Sequence, residues 1–271
     1  MTDTTVDAGL ETVLAERRGG VLVLTLNRPH RLNAWTNALE QRYFALLDEA
    51  EADPDVRAVV VTGAGRGFCA GADMDDLDVL TGSEEKGLPA RAVPCHRPLQ
   101  LRKPLIAAVN GAAAGLGFVQ ALYCDLRFAT PTAKFTSAFT RRGLIAEYGS
   151  AWLLPRIVGH ARATDLLLSA RVVHGTEALE MGLVDRVVEP DALLDTTVAY
   201  AQDLADNCSP AAMAAVKAQL AHAATSTFAE AAGEADRRMV LSFEHPDFHE
   251  GVVSYQEKRP PAFAGLGPDR S

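Results

Sequence analysis

The sequence is short of several features that would assign it quickly. Its 4 cysteines, Cys69, Cys95, Cys124 and Cys208, form no C-x-x-C pair and no zinc-ligand spacing. Neither a disulfide scaffold nor a thiolate metal site is indicated, and reduced thiols in a cytoplasmic setting are expected. No apolar run reaches the roughly 18 uninterrupted residues of a membrane-spanning helix, so no membrane partner is expected. The opening MTDTTVDAGLETVLAE has no basic segment followed by an apolar one, and the expectation is that no secretory signal is present. Positive charge is scarce: 26 lysines and arginines face 35 acids, a net charge of −9. A bulk polyanion would be repelled, which disfavours nucleic acid as a partner.

Common catalytic signatures are missing as well. Gly63-x-Gly65-x-Gly67 places its third glycine one position early for a dinucleotide fingerprint, and Gly115-x-Gly117 has no third glycine. There is no glycine-lysine-Ser/Thr phosphate loop and no G-x-S-x-G nucleophile elbow. His245 and His249 are four apart, but Pro246 intervenes and no third ligand is evident, so no metal is expected.

What remains is a chain of 271 residues, 48% hydrophobic and 23% charged. That is enough for one large domain, or one with a small appendage. Val21 to Leu26, Val56 to Thr62, Pro104 to Val109 and Leu126 to Ala129 are short apolar runs expected as buried strands. Thr36 is a candidate N-cap for a helix that stops at Asp53-Pro54, and a helix is expected from Gly117 to about Cys124. Helical patterns follow at Ala161 to Ser169, Thr176 to Met181 and Asp191 to Asp206, with LVDRVV as a strand among them. From Ser209 onward the pattern is helical throughout. Residues 78 to 103 are irregular, with TGSEEKGLP the expected mobile stretch. The expected class is α/β with a helical C-terminal appendage.

Two strand ends run into loops of small residues, FCAGAD (68–73) and NGAAAGLG (110–117). Small residues let a ligand approach the backbone, and a loop entering a helix leaves N–H groups unpaired. Two such donors aimed at one point make an oxyanion hole. Taken singly, either loop is equally well explained by tight turns and helix–strand packing.

The ordered set NRPHRLNA (27–34), FCAGADM (68–74), KPLIAAVNGAAAGLG (103–117), CDLRFA (124–129), AEYGSAWLLPRIVG (146–159), GLVDRVV (182–188) and EKRPPAF (257–263) resembles the enoyl-CoA hydratase/isomerase (crotonase) superfamily. The resemblance covers nearly the whole chain. It implies a crotonase-like spiral of ββα repeats over 1–206, carrying an acyl-CoA site. It also implies a helical C-terminal region over 207–271 that packs homotrimers, often paired as hexamers. Carried over by position, the two backbone donors for a thioester enolate are Ala72 and Leu116. Substrate contacts are implied for Ala70, Asp73, Met74, Gly115 and Phe139, with Asp73 supporting the Ala72 turn. Arg28, Arg31 and Lys258 are the candidates for CoA phosphates, and Phe263, from this chain or a neighbouring subunit, is the candidate for the adenine. CoA belongs to the substrate, and no separate cofactor is implied.

The sequence departs from the family's hydratases at both of their glutamates, where Val119 and Phe139 stand. An apolar side chain cannot transfer a proton. Glu147 instead matches the acidic position of the single-acid isomerase branches, where one carboxylate serves as general acid and base. Apolar neighbours such as Val119 and Phe139 would favour such a base. From the residues alone, Glu147 is equally a helix-start carboxylate ahead of Gly149-Ser150, and Arg141 or Arg142 would weaken it by pairing. His96 and Cys69 are expected to be structural. The leading expectation is an enoyl-CoA isomerase. An enoyl-CoA hydratase using Glu147 with a bound water is the first alternative, and a non-catalytic CoA-binding scaffold subunit is the second.

Overall fold

The computed structural model describes residues 11–73 and 93–267. Met74 and the TGSEEKGLP stretch lie outside the described residues. VLVLTL folds as expected into strand β2 (Val21–Leu26), and an unforeseen β1 (Val13–Arg18) pairs with it antiparallel. Only Val13 of β1 is fully buried, and its charged side chains blunt a sheet edge, which removed the apolar signal from the sequence. The Thr36 hydroxyl accepts from Leu39 N at 3.3 Å and opens helix α1 (Asn37–Ala52), which buries Leu39, Tyr43, Leu46 and Leu47.

Next come β3 (Ala58–Gly63), β4 (Gly67–Cys69), β5 (Leu105–Val109), β6 (Ala112–Ala114), helix α2 (Leu116–Leu122), β7 (Leu126–Ala129) and β8 (Lys134–Thr136). These strands alternate between two sheets. The larger has the order β1-β2-β3-β5-β7 and closes with β10 (Arg186–Val187). The smaller runs β4-β6-β8 and closes with β9 (Val173–His174). Each β–β unit therefore adds one parallel strand to each sheet before the chain moves on, the advance of a spiral. The loop expected over 110–117 contains β6. Three alanines give no β-branched signal, and the strand exists because β4 and β8 flank it. LVDRVV pairs only at Arg186–Val187, while Leu183 and Val184 turn into the core.

Helices α3 (Ser150–Val158), α4 (His160–Ser169), α5 (Gly175–Glu180) and α6 (Leu193–Asn207) cover the sheets, and α7 (Pro210–Ala223), α8 (Phe228–Glu244) and α9 (Pro246–Glu257) follow. Ser209 caps α7 by accepting from Ala212 N, and Thr227 with Glu230 forms a capping box on α8. His245 caps α9 by accepting from Asp247 N at 3.2 Å. No helix among the described residues is long and apolar enough to cross a membrane.

One buried cation ties α1 to the sheet. The Lys103 side chain is 1% exposed and donates to the Ala50 and Asp53 carbonyls at 2.7 and 2.6 Å. Burial pulls its pKa down from 10.5 to about 8. Between those values the unfolded chain binds a proton that the folded chain has released, so this group's contribution to stability rises with pH across the window. Urea unfolding of wild type and Lys103→Met, compared below pH 8 and near pH 10, is expected to show the difference moving in favour of wild type at the higher pH. A difference that does not change with pH would contradict this.

Candidate active site

The site is built where β3 and β5 end. The Asn110 amide donates to the Gly63 and Gly65 carbonyls, both at 2.9 Å, and its oxygen accepts from Gly63 N, tying the two loops together. Two glycines allow their close approach. Gly71 has φ +100°, and a Cβ there would lie 2.9 Å from the Ala114 carbonyl oxygen. At Gly117 an added Cβ would meet the Cys69 carbonyl oxygen at 2.1 Å, so no larger residue fits.

Trp35 bridges the first loop like a short parallel strand. Its N–H donates to Gly71 O at 2.7 Å and its carbonyl accepts from Asp73 N at 3.1 Å. The pleat then turns the Ala72 N–H away from Trp35. Leu116 opens α2, where a first-turn N–H has no intrahelical acceptor. Among the described residues, neither the Ala72 nor the Leu116 N–H meets an acceptor. The fold thus carries two unpaired main-chain donors on touching loops. Ala70 is held by its N–H to Leu32 O at 3.0 Å.

The apolar replacements lie close to these donors. Phe139 is 4% exposed and its ring edge is 3.9 Å from where a Gly115 Cβ would stand, while Val119 is fully buried on α2. Glu147 is half-buried, and its backbone carbonyl accepts from Ser150 N at the start of α3. The next two residues, Tyr148 and Gly149, line an apolar cavity of about 380 Å³ with Cys95, His96, Tyr123 and Trp152. Arg156 stacks over the Trp152 ring at 3.8 Å. Arg141 donates to Ser169 O and Arg142 to Ala138 O.

Of the residues expected at the CoA phosphates and adenine, Arg28 is turned inward and Phe263 stands apart from the donor loops within this chain. Arg28 is 6% exposed, with Nη1 donating to Ala34 O at 2.7 Å and to Asp73 Oδ2 at 2.9 Å. An arginine turned inward onto a buried carboxylate is placed to clamp the 70–73 loop, and this geometry replaces the phosphate contact expected of it. Asp73 accordingly supports Ala72 through this ion pair and its N–H bond to Trp35. Phe263 lies at the opposite end of the sheet. Arg57, just before β3, donates to the Phe263 carbonyl at 2.7 Å, whereas the donors lie beyond Gly63 at the other end of that strand. Six strand residues span about 20 Å at the usual rise. Within one chain, Phe263 does not join the site. Lys258 caps the end of α9.

Arg31 is exposed on the Pro29–Arg31 turn. Arg66, not singled out from the sequence, is also exposed and neighbours it, since Gly65 abuts Pro29. An arginine between two strand-end glycines was the available signal. Tyr123, Tyr148 and Trp152 were also missed, because aromatic residues on helical spacing read as ordinary core. Burial pushes the Cys69 and Cys124 thiols up to about 12, which keeps both protonated and unreactive. No group of three metal-ligating side chains occurs among the described residues.

The chain is similar to known proteins along nearly its whole length. The family model for Enoyl-CoA hydratase/isomerase matches residues 16–266. A 1,2-epoxyphenylacetyl-CoA isomerase of Escherichia coli is 36% identical over 261 residues, covering 94% of this chain and 99% of that protein. A probable enoyl-CoA hydratase of Rhodobacter capsulatus is 39% identical over 259 residues, covering 94% and 98%. The crystal structure of an enoyl-CoA hydratase from Bacillus anthracis superposes with a TM-score of 0.87 at 28% identity, covering 94% of this chain and 100% of that one. With a matched family over nearly the full length and the same fold in solved relatives, this chain belongs to the enoyl-CoA hydratase/isomerase family and is an enzyme of acyl-CoA metabolism.

Proposed function

We propose that this enzyme is an enoyl-CoA isomerase that moves a double bond with one carboxylate, Glu147. The observation that carries this reading is a contrast. The two positions at which hydratases of the family hold glutamates are a buried Val119 and Phe139, whereas Glu147 adjoins two residues lining the apolar cavity.

The acyl-CoA thioester oxygen accepts from the Ala72 and Leu116 N–H groups. Glu147 takes a proton from the α carbon, and the C–H electron pair becomes the enolate, conjugated with the β,γ double bond. Glu147 returns that proton to the γ carbon, the double bond settles between α and β, and the carboxylate is regenerated. Preorganised donors in a dry site stabilise the enolate, each worth about 2.7–4 kcal/mol in comparable sites. CoA enters as part of the substrate.

The alternative with a specific observation behind it is hydration, since relatives such as that of Rhodobacter capsulatus are named probable enoyl-CoA hydratases. There Glu147 would act with a bound water. Spectrophotometric assay of a 3-enoyl-CoA against a 2-enoyl-CoA separates the two: isomerisation exceeding hydration is expected, and hydration that survives Glu147→Ala would sink the single-carboxylate reading.

With Arg28 turned inward, Arg31 and Arg66 are the exposed cations assigned to the CoA phosphates. Arg31→Ala and Arg66→Ala are each expected to raise KM by about 3–10-fold with kcat unchanged, as for loss of uniform binding by a solvent-exposed charge. Steady-state kinetics at two salt concentrations would check it, and an unchanged KM would count against the assignment. Phe263 reaches the adenine of a site on another copy of the chain, in a homotrimer or hexamer, and Lys258 keeps its assignment to the CoA phosphates. The C-terminal helices support such assembly by exposing Leu220 at 68%, Leu241 at 65% and Phe243 at 54%.

A further inference from the structure

We propose that Tyr123 is a positioning residue that fixes Glu147 relative to the oxyanion donors, a role that rests on the reading of Glu147 above. Three observations converge on it. First, the backbone just after Glu147 is bent by two consecutive left-handed residues, Tyr148 at φ +53° and Gly149 at φ +76°. For an aromatic residue that conformation is unfavourable and persists only when its surroundings hold it. Second, the carbonyl of that bent residue accepts the Tyr123 hydroxyl at 2.7 Å. Third, Tyr123 is 3% exposed and stands at the C-terminal cap of α2, the helix whose first residue is Leu116.

One short rigid element therefore presents an oxyanion N–H at its start and the anchor of the acid-bearing bend at its end. At 1.5 Å per residue, the 7 residues of α2 set the backbones of Leu116 and Tyr123 about 10 Å apart along the axis. Double-bond migration needs the carboxylate to reach both the α and the γ carbon of an enolate pinned at its oxygen. Small displacements of a reacting group cost disproportionately in rate. The Tyr123 hydroxyl is the link that transmits the position of α2 to Glu147.

The test is Tyr123→Phe in the full-length enzyme, made both in the wild-type and in the Glu147→Gln background. The readouts are steady-state kinetics on a 3-enoyl-CoA and exchange of α protons into deuterated water. Phenylalanine keeps the ring packing and removes only the hydroxyl. In the wild-type background kcat and the exchange rate are expected to fall together by about tenfold, with KM within about twofold, as for an interaction made chiefly in the transition state. In the Glu147→Gln background the same change is expected to cost less than about twofold, because the group it positions is already gone. Equal losses in both backgrounds would show a merely structural tyrosine and overturn the proposal, as would an undiminished kcat in the wild-type background. Full activity of Glu147→Gln by itself would remove the underlying reading and the proposal with it, an outcome visible before Tyr123 is changed.

Discussion

Glu147→Gln is expected to lower kcat for a 3-enoyl-CoA by about 10²–10⁴-fold, the usual contribution of a positioned acid–base group. The upper part of that range is expected here because one carboxylate serves two proton transfers, removal at the α carbon and delivery at the γ carbon. Glutamine matches glutamate in size and keeps hydrogen-bonding capacity, so the half-buried side chain and the Glu147 O to Ser150 N contact at the start of α3 are retained. KM and the thermal midpoint should change little. Exchange of α protons into deuterated water should fall by a factor similar to kcat, because both begin with the same abstraction. Val119 and Phe139 cannot compensate, because both are buried hydrocarbons without a proton to give. A variant that keeps more than about a tenth of its activity would place the proton transfers on another group.

Arg28→Met is expected to destabilise the fold by about 3–5 kcal/mol, the cost of leaving a buried charge without its partner. Arg28 and Asp73 side chains are 7% and 6% exposed and lie 2.9 Å apart. Removing the guanidinium takes from the buried Asp73 carboxylate its charge partner at 2.9 Å and frees the Ala34 carbonyl it also held. Because Asp73 is next to Ala72, the loosened loop should lower kcat as well. The paired change Arg28→Met with Asp73→Leu should cost less stability than Arg28→Met alone, since no charge is then left buried. Urea unfolding read alongside kinetics distinguishes this from a phosphate contact. Were Arg28 holding a CoA phosphate, its loss would raise KM and leave stability intact.

Much of the large sheet was legible because β2, β3 and β5 are nearly uninterrupted apolar runs, the signature of strands covered on both faces. The small sheet was not, because its strands are two or three residues long and β6 is three alanines, so pairing partners and not composition create them. The helix cap at Thr36 was legible as local hydrogen-bonding chemistry.

The two donor loops were legible for a related reason: small residues at strand ends are a local signal. Arg28 was misassigned because its partner lies 45 residues away, and no local pattern says that a carboxylate will neutralise it. Phe263 was expected at the adenine, from this chain or a neighbouring one, by position in the family pattern. Within its own chain the tail folds back, with Arg57 holding the Phe263 carbonyl and Arg102 holding that of Gly267. The net charge of −9 gains meaning from this redistribution. With Arg28 turned inward, the proposed CoA phosphate contacts besides Lys258 are Arg31 and Arg66, exposed on adjoining turns.

A structure of the enzyme with a bound unreactive acyl-CoA tests the central claim most directly. The account predicts a Glu147 carboxylate oxygen within about 3–4 Å of the α carbon, within reach for proton transfer. It also predicts the thioester oxygen about 2.7–3.1 Å from both the Ala72 and Leu116 nitrogens. A nearest acid other than Glu147, or a thioester oxygen that meets neither N–H, would contradict it.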